Sequence, residues 1–237
     1  MEKYSFTWGN LENEFRAILD KGYQIITCEE YVRIKENLPA KVVVNRIDID
    51  FSVKKVINIL DIFDRLNIKG TFFVRLHAPE YNPFSFESYR VLKRLLNSGH
   101  ELGYHTEIID QSIIWEEEAE DCLIRDLKVL GNMFNYQVKS VASHGGNTGF
   151  NNLDFWKDKK PKDYSLLYEG YDKESEYNLF QEAFYISDSE WTQWKCYNKG
   201  TLVENDRRSP TEHLTDNHQL IHLLIHPDTY YIRHIYE

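Results

Sequence analysis

Cysteine is scarce in this sequence. Cys28, Cys122 and Cys196 are odd in number, widely spaced and outside any Cys-x-x-Cys pair. That argues against a disulfide framework or a zinc ribbon and fits a reducing compartment. No apolar run approaches the roughly 20 residues that span a bilayer. The chain passes from Met1 straight into polar and charged residues, so no secretory signal is expected and a cytoplasmic location is. Basic residues are in deficit, 28 against 38 acidic for a net charge of −10. No Lys/Arg cluster interleaved with aromatics offsets this, so nucleic acid is not expected as a partner. Internal repeats, low-complexity tracts and Gly/Ser/Pro linkers are also missing, which favours one domain over 1–237.

What is present suits a large core: 42% hydrophobic residues, with 14% aromatic. Residues 1–40 read as a helical lead-in, with apolar positions at helical spacing over 11–19 and Gly22 as a stop. KVVVNRIDID (41–50) is β-branched and alternates at its end, a strand. A helix with one buried face follows over 53–66, then a strand (70–76) and a helix (86–96). A strand over 101–106, a long helix over 113–134 and strands over 138–143, 182–187 and 219–225 complete the series. Strands alternating with such helices predict an α/β fold with a mostly parallel sheet. The stretch 145–180 has no clear period and reads as a long excursion covering one side of a site.

Polar residues gather where these strands end. Asp48 and Asp50 close the first, Arg75 and His77 the next, and His105 followed by Glu107 the third. His144-Gly145-Gly146, Asp188 and His226-Pro227 follow the remaining three. In parallel α/β architectures these ends share one face, where ligands and catalytic groups collect. Carboxylate and imidazole from separate strand ends form a ligand set for zinc or another divalent transition metal. Such an ion polarises a carbonyl and lowers the pKa of water, while a nearby carboxylate acts as base and a histidine as acid. Asp48, Asp50, His105 and His226 fit those roles.

Four segments in order, R-I-D-I-D (46–50), G-T-F-F (70–73), G-H-E-L-G-Y-H-T (99–106) and L-L-I-H-P (223–227), resemble the motifs of the polysaccharide deacetylase, or NodB-homology, superfamily (carbohydrate esterase family 4). The resemblance covers roughly residues 40–228. It implies a distorted (β/α) barrel, often of seven strands, and one divalent metal ion, zinc first among candidates. It implies removal of acetyl groups from sugars. It makes Asp48 the base, Asp50 and His105 metal ligands, and His226 the general acid. The family's second metal histidine falls on Ile109, so Glu107 or His144 is left to complete the set. The D-x-D and His-x-Glu variants are similar to a branch tied to bacterial surface-polysaccharide biosynthesis, implying a nucleotide- or lipid-linked sugar precursor as partner.

Each candidate also has a plain structural reading. Asp48 and Asp50 would cap the helix after Ser52, and Arg75 with His77 would form an ion pair rather than grip a sugar. Asp188, Trp191 and Trp194 would contact substrate or pack against the barrel. His100 and His222 read as structural, His213, His218 and His234 as surface residues, and Glu116-Glu117-Glu118 as a solvated helix face. Three functions follow: a deacetylase of an amino sugar or glycan precursor, an amidase for a non-sugar C–N bond, or a binding protein that has lost its metal.

Overall fold

The computed structural model describes residues 5–172 and 177–234. Residues 1–4 of the expected lead-in and 173–176 of the expected excursion lie outside the described residues.

The strands are β1 (Gln24–Ile26), β2 (Val42–Ile49), β3 (Thr71–Val74), β4 (Glu101–Thr106), β5 (Ser140–Ser143), β6 (Tyr168–Glu169), β7 (Phe184–Ser187), β8 (Lys195–Asn198), β9 (Thr201–Leu202) and β10 (Leu220–Ile225). Seven of them run parallel along one path in the order β6-β5-β4-β3-β2-β10-β7, and β1, parallel to β2, is an eighth beside that path. The hairpin β8-β9 extends the sheet antiparallel beyond β7, and β1 pairs with the first half of β2. Among the described residues no ladder joins β6 to β7. Aromatic side chains bridge that gap: the Phe180 ring stands edge-on to Tyr171 at 5.5 Å and to Tyr185 at 5.1 Å.

Alternation along β2 separates two cores. Val43, Ile47 and Ile49 face the helices, whereas Val42 and Val44 join an inner cluster with Phe73, Ala142 and Tyr168. Helices α1 (Trp8–Asp20), α2 (Cys28–Ile34), α3 (Val56–Leu66) and α4 (Phe86–Asn97) precede β4. α3 alone buries Val56, Ile59, Leu60, Ile62 and Phe63, each worth about 1.5–3 kcal/mol when fully removed from water.

The expected helix over 113–134 is two helices, α5 (Ile108–Trp115) and α6 (Ala119–Phe134), with Glu116 left-handed at φ 57° between them. The cause is the acidic run 116–118. Carboxylates oppose the negative end of α5 but suit the positive end of α6. The short helices α7 (Leu179–Glu182) and α8 (Pro210–His213) complete the chain. Strands β1, β6, β8 and β9 were not legible in the sequence: they are two to four residues long, too short to show a period. His213 is also corrected, being fully buried rather than at the surface.

The inner core is layered. At its base the Glu101 carboxylate accepts from Thr71 Oγ1 (2.6 Å), Ser140 Oγ (2.7 Å) and Tyr168 Oη (2.6 Å). Above it Phe73 lies over Gly103, where a Cβ would come within 2.4 Å of the ring. The polar ends of the strands form the next layer up.

Candidate active site

Arg46, Asp48 and Asp50 alternate along β2 and its last turn, so they share the inner face. Arg46 is fully buried and grips Asp48 in a fork, Nε to Oδ1 at 2.8 Å and Nη2 to Oδ2 at 2.7 Å. Burial works to raise the Asp48 pKa, but the Arg46 guanidinium together with the His105 and His226 imidazoles outweighs it and holds the carboxyl below its usual range. The same guanidinium lies over the rings of Phe73 (5.2 Å) and Tyr171 (4.8 Å).

His105, from β4, decides the chemistry of the neighbouring space. Its Nδ1 lies 2.8 Å from Ala142 O, and a carbonyl only accepts, so Nδ1 carries the proton. Nε2 therefore faces Asp48 Oδ2 at 3.4 Å and Asp50 Oδ1 at 3.3 Å. Asp50 Oδ1 is buried with no hydrogen-bond partner. A lone pair and two carboxylates cannot share that space without a cation between them, either a second proton on His105 or a metal ion. In the protein alone the proton answers: burial lowers the His105 pKa, and the two aspartates raise it further than burial lowers it.

His144 stands beside this group. Its backbone N–H donates to Thr106 O at 2.9 Å, and its ring meets His105 edge-on at 5.1 Å. Its Nδ1 turns toward Glu107 Oε1, 3.5 Å away. On the far side His226 follows β10. Its Nδ1 donates to Asp188 Oδ1 at 2.6 Å, its backbone N–H donates to Asp188 Oδ2 at 3.0 Å, and Nε2 lies 3.8 Å from Asp50 Oδ2. Burial depresses the His226 pKa, but Asp188, with Asp50 and Asp48 behind it, overrides burial and pushes it up to about 9. All five residues, Asp48, Asp50, His105, His144 and His226, line one cavity of ≈ 400 Å³.

Other candidates fall elsewhere. Asp188 is fully buried behind His226 with both oxygens engaged, so it orients that ring and is not available to a substrate. Trp194 is 7% exposed, packs on Phe6 at 5.3 Å and lines a separate cavity of ≈ 700 Å³; Trp191 lines the cavity that holds Asp50, 5.8 Å from His226. Arg75 donates to Glu107 Oε1 (2.7 Å) and to Asp50 O (2.9 Å). His77 bonds Asp126 at 2.9 Å. Arg75, His77 and Glu107 border a neighbouring cavity, separate from the one that holds Asp50. Ile109 packs against the helix-side core and offers no ligand atom.

Arg46 was missed among the candidates, although R-x-D-x-D on one strand places it on the same face as both aspartates. Tyr171, Tyr185, Lys195 and Tyr197 also line the cavity. Nothing in the sequence points to them, since they come from β7, β8 and the end of β6, which meet only in the fold.

Among solved structures, the Streptococcus pyogenes deacetylase PplD in complex with acetate superposes with a TM-score of 0.52 at 16% identity, over 89% of this chain and 86% of that one. A Streptococcus mutans CE4 esterase gives a TM-score of 0.52 at 16% identity, over 86% of this chain and 80% of that one. This is the NodB-like CE4 deacetylase fold. At this identity the likeness is one of fold, and the chemistry rests on the side chains above. No protein-family model matches the sequence, and no curated protein does. Among the described residues no helix is long and apolar enough to cross a membrane.

Proposed function

We propose that the chain is a metal-dependent hydrolase that removes an acetyl group from an amino sugar or a surface-polysaccharide precursor, with Asp50, His105 and His144 holding the ion. The observation that carries this reading is His105 Nε2 set between Asp48 and Asp50, 3.4 Å and 3.3 Å away, with Asp50 Oδ1 buried and without a hydrogen-bond partner. One carboxylate and two imidazoles form a donor set that suits zinc and its neighbours. His144 is preferred to Glu107 because it lines the cavity with Asp50, whereas Glu107 is held by Arg75 and borders the adjacent one. An ion bound there would polarise the acetyl carbonyl and make water acidic enough to attack near neutral pH.

The remaining steps belong to the protein. Asp48, fixed by Arg46, is the base that takes the proton from the attacking water. His226, oriented by Asp188, presents Nε2 across the cavity and protonates the leaving amine or alcohol. Trp191, Tyr171 and Tyr197 form walls on which a sugar ring stacks. The two CE4-fold structures support this choice, one being a deacetylase with acetate bound.

The test is acetate release from N-acetylglucosamine oligomers, assayed before and after chelation. Release that stops on chelation, returns with zinc or cobalt, and is lost in Asp50→Ala supports the assignment. Release that is indifferent to chelation overturns it.

A further inference from the structure

A second group of metal-type donors lies outside this cavity, on the opposite side of β8. Lys195 and Tyr197 face the catalytic cavity, while Cys196 between them faces outward and is fully buried. Its Sγ lies 3.3 Å from His213 Nε2, and that nitrogen lies 3.5 Å from Asp206 Oδ1. The three donor atoms all fall within 4.8 Å of one another. His213, fully buried in α8, has its Nδ1 3.3 Å from Asp216 Oδ2.

We propose that Cys196, Asp206 and His213 form a structural site for a divalent transition metal of the zinc class. Metal bonds of about 2.0–2.3 Å around a tetrahedral ion place neighbouring ligand atoms roughly 3.3–3.7 Å apart, and the Cys196–His213 and His213–Asp206 distances are already of that size. Asp216 fixes the tautomer: it accepts from Nδ1–H, which leaves the Nε2 lone pair on the side of Cys196 and Asp206. A carboxylate behind a ligating imidazole is the usual outer partner in zinc sites.

Charge points the same way. Arg208 bonds Asp206, Nε to Oδ1 at 3.1 Å and Nη2 to Oδ2 at 2.8 Å, and its Nη1 reaches Asp216 at 2.9 Å. Two carboxylates against one guanidinium leave the cluster with an excess negative charge. A divalent ion with a Cys196 thiolate brings the formal sum to zero. A metal of this class binds the thiolate, so binding releases the thiol proton and affinity rises with pH. The ion would tie β8, the loop after β9 and α8 together, fixing the strand that carries Lys195 and Tyr197 into the catalytic cavity.

Cobalt(II) titration of the full-length protein tests this separately from the catalytic ion, because only this site offers sulfur. A thiolate-to-cobalt charge-transfer band is expected in wild type. Asp50→Ala, disabled at the catalytic site, should keep the band and still bind one equivalent of zinc. Cys196→Ser and His213→Gln should each lose both. Cys28→Ser and Cys122→Ser controls should each keep the band, which assigns the sulfur to Cys196 even where Cys196→Ser does not fold. Absence of the band at saturating cobalt in wild type, or its persistence in Cys196→Ser, overturns the proposal.

Discussion

Arg46 and Asp48 sit two positions apart on one strand and close a two-pronged ion pair inside the barrel, at 2.8 Å and 2.7 Å. Such a pair adds little net stability when intact but is costly to break on one side. Arg46→Met should therefore destabilise the fold by about 3–5 kcal/mol, because Asp48 stays buried without its guanidinium partner, with only His105 at 3.4 Å left to offset its charge. The double variant Arg46→Met/Asp48→Leu should recover most of that loss. Urea unfolding of the two variants checks it, and equal losses would show that the pair does not act as a unit.

The Asp188–His226 contact at 2.6 Å is expected to matter for turnover and not for substrate binding. Asp188→Asn removes the charge that orients and protonates the ring, so kcat should fall about 100-fold or more with KM changed little. A rise in KM at constant kcat would mean that Asp188 serves substrate binding after all.

Gly103 supports the site from below. A methyl group there would meet the Phe73 ring at 2.4 Å and Ser140 Oγ at 2.9 Å, and Phe73 lies beneath the Arg46 guanidinium. Gly103→Ala should cost about 1–3 kcal/mol through overpacking and lower activity as Arg46 and Asp48 shift. Thermal unfolding together with acetate release reads both effects, and a variant as stable and active as wild type would contradict the close approach.

Much of this was legible in the sequence because it is carried by alternation within single strands. R-x-D-x-D on β2 puts three side chains on one face wherever that strand lies. The parallel sheet followed equally from strands and helices taking turns. What stayed hidden depends on elements far apart in the chain. Glu107 and His144 follow neighbouring strands, and only the fold shows Glu107 turned to Arg75 while His144 joins Asp50. Trp191 and Trp194 are three residues apart, yet they face different cavities because the chain bends between β7 and β8. Arg208 and His213 gave no signal, since their partners come from separate turns and from β8.

Asp110 anchors the loop after His144. Its carboxylate accepts from Asn147 N (2.9 Å), Thr148 N (2.8 Å), Thr148 Oγ1 (2.7 Å) and Asn152 Nδ2 (2.8 Å). Burial raises its pKa, but these donors lower it more, so the folded value lies below the usual one. A depressed carboxylate pKa stabilises the fold above the unfolded value of about 3.9, and that contribution is lost as pH falls through the folded pKa. The thermal midpoint of wild type should therefore fall more steeply below about pH 4 than that of Asp110→Asn. Parallel curves would remove Asp110 from the acid response.

The most direct test of the central claim is the metal dependence of acetate release in His144→Ala and Glu107→Gln, titrated with zinc after chelation. With His144 as the third ligand, His144→Ala should be inactive or need at least about 100-fold more zinc. Glu107→Gln, which touches the ion only through His144, should need about tenfold more. The reverse order, or full activity in His144→Ala, would contradict the Asp50–His105–His144 centre.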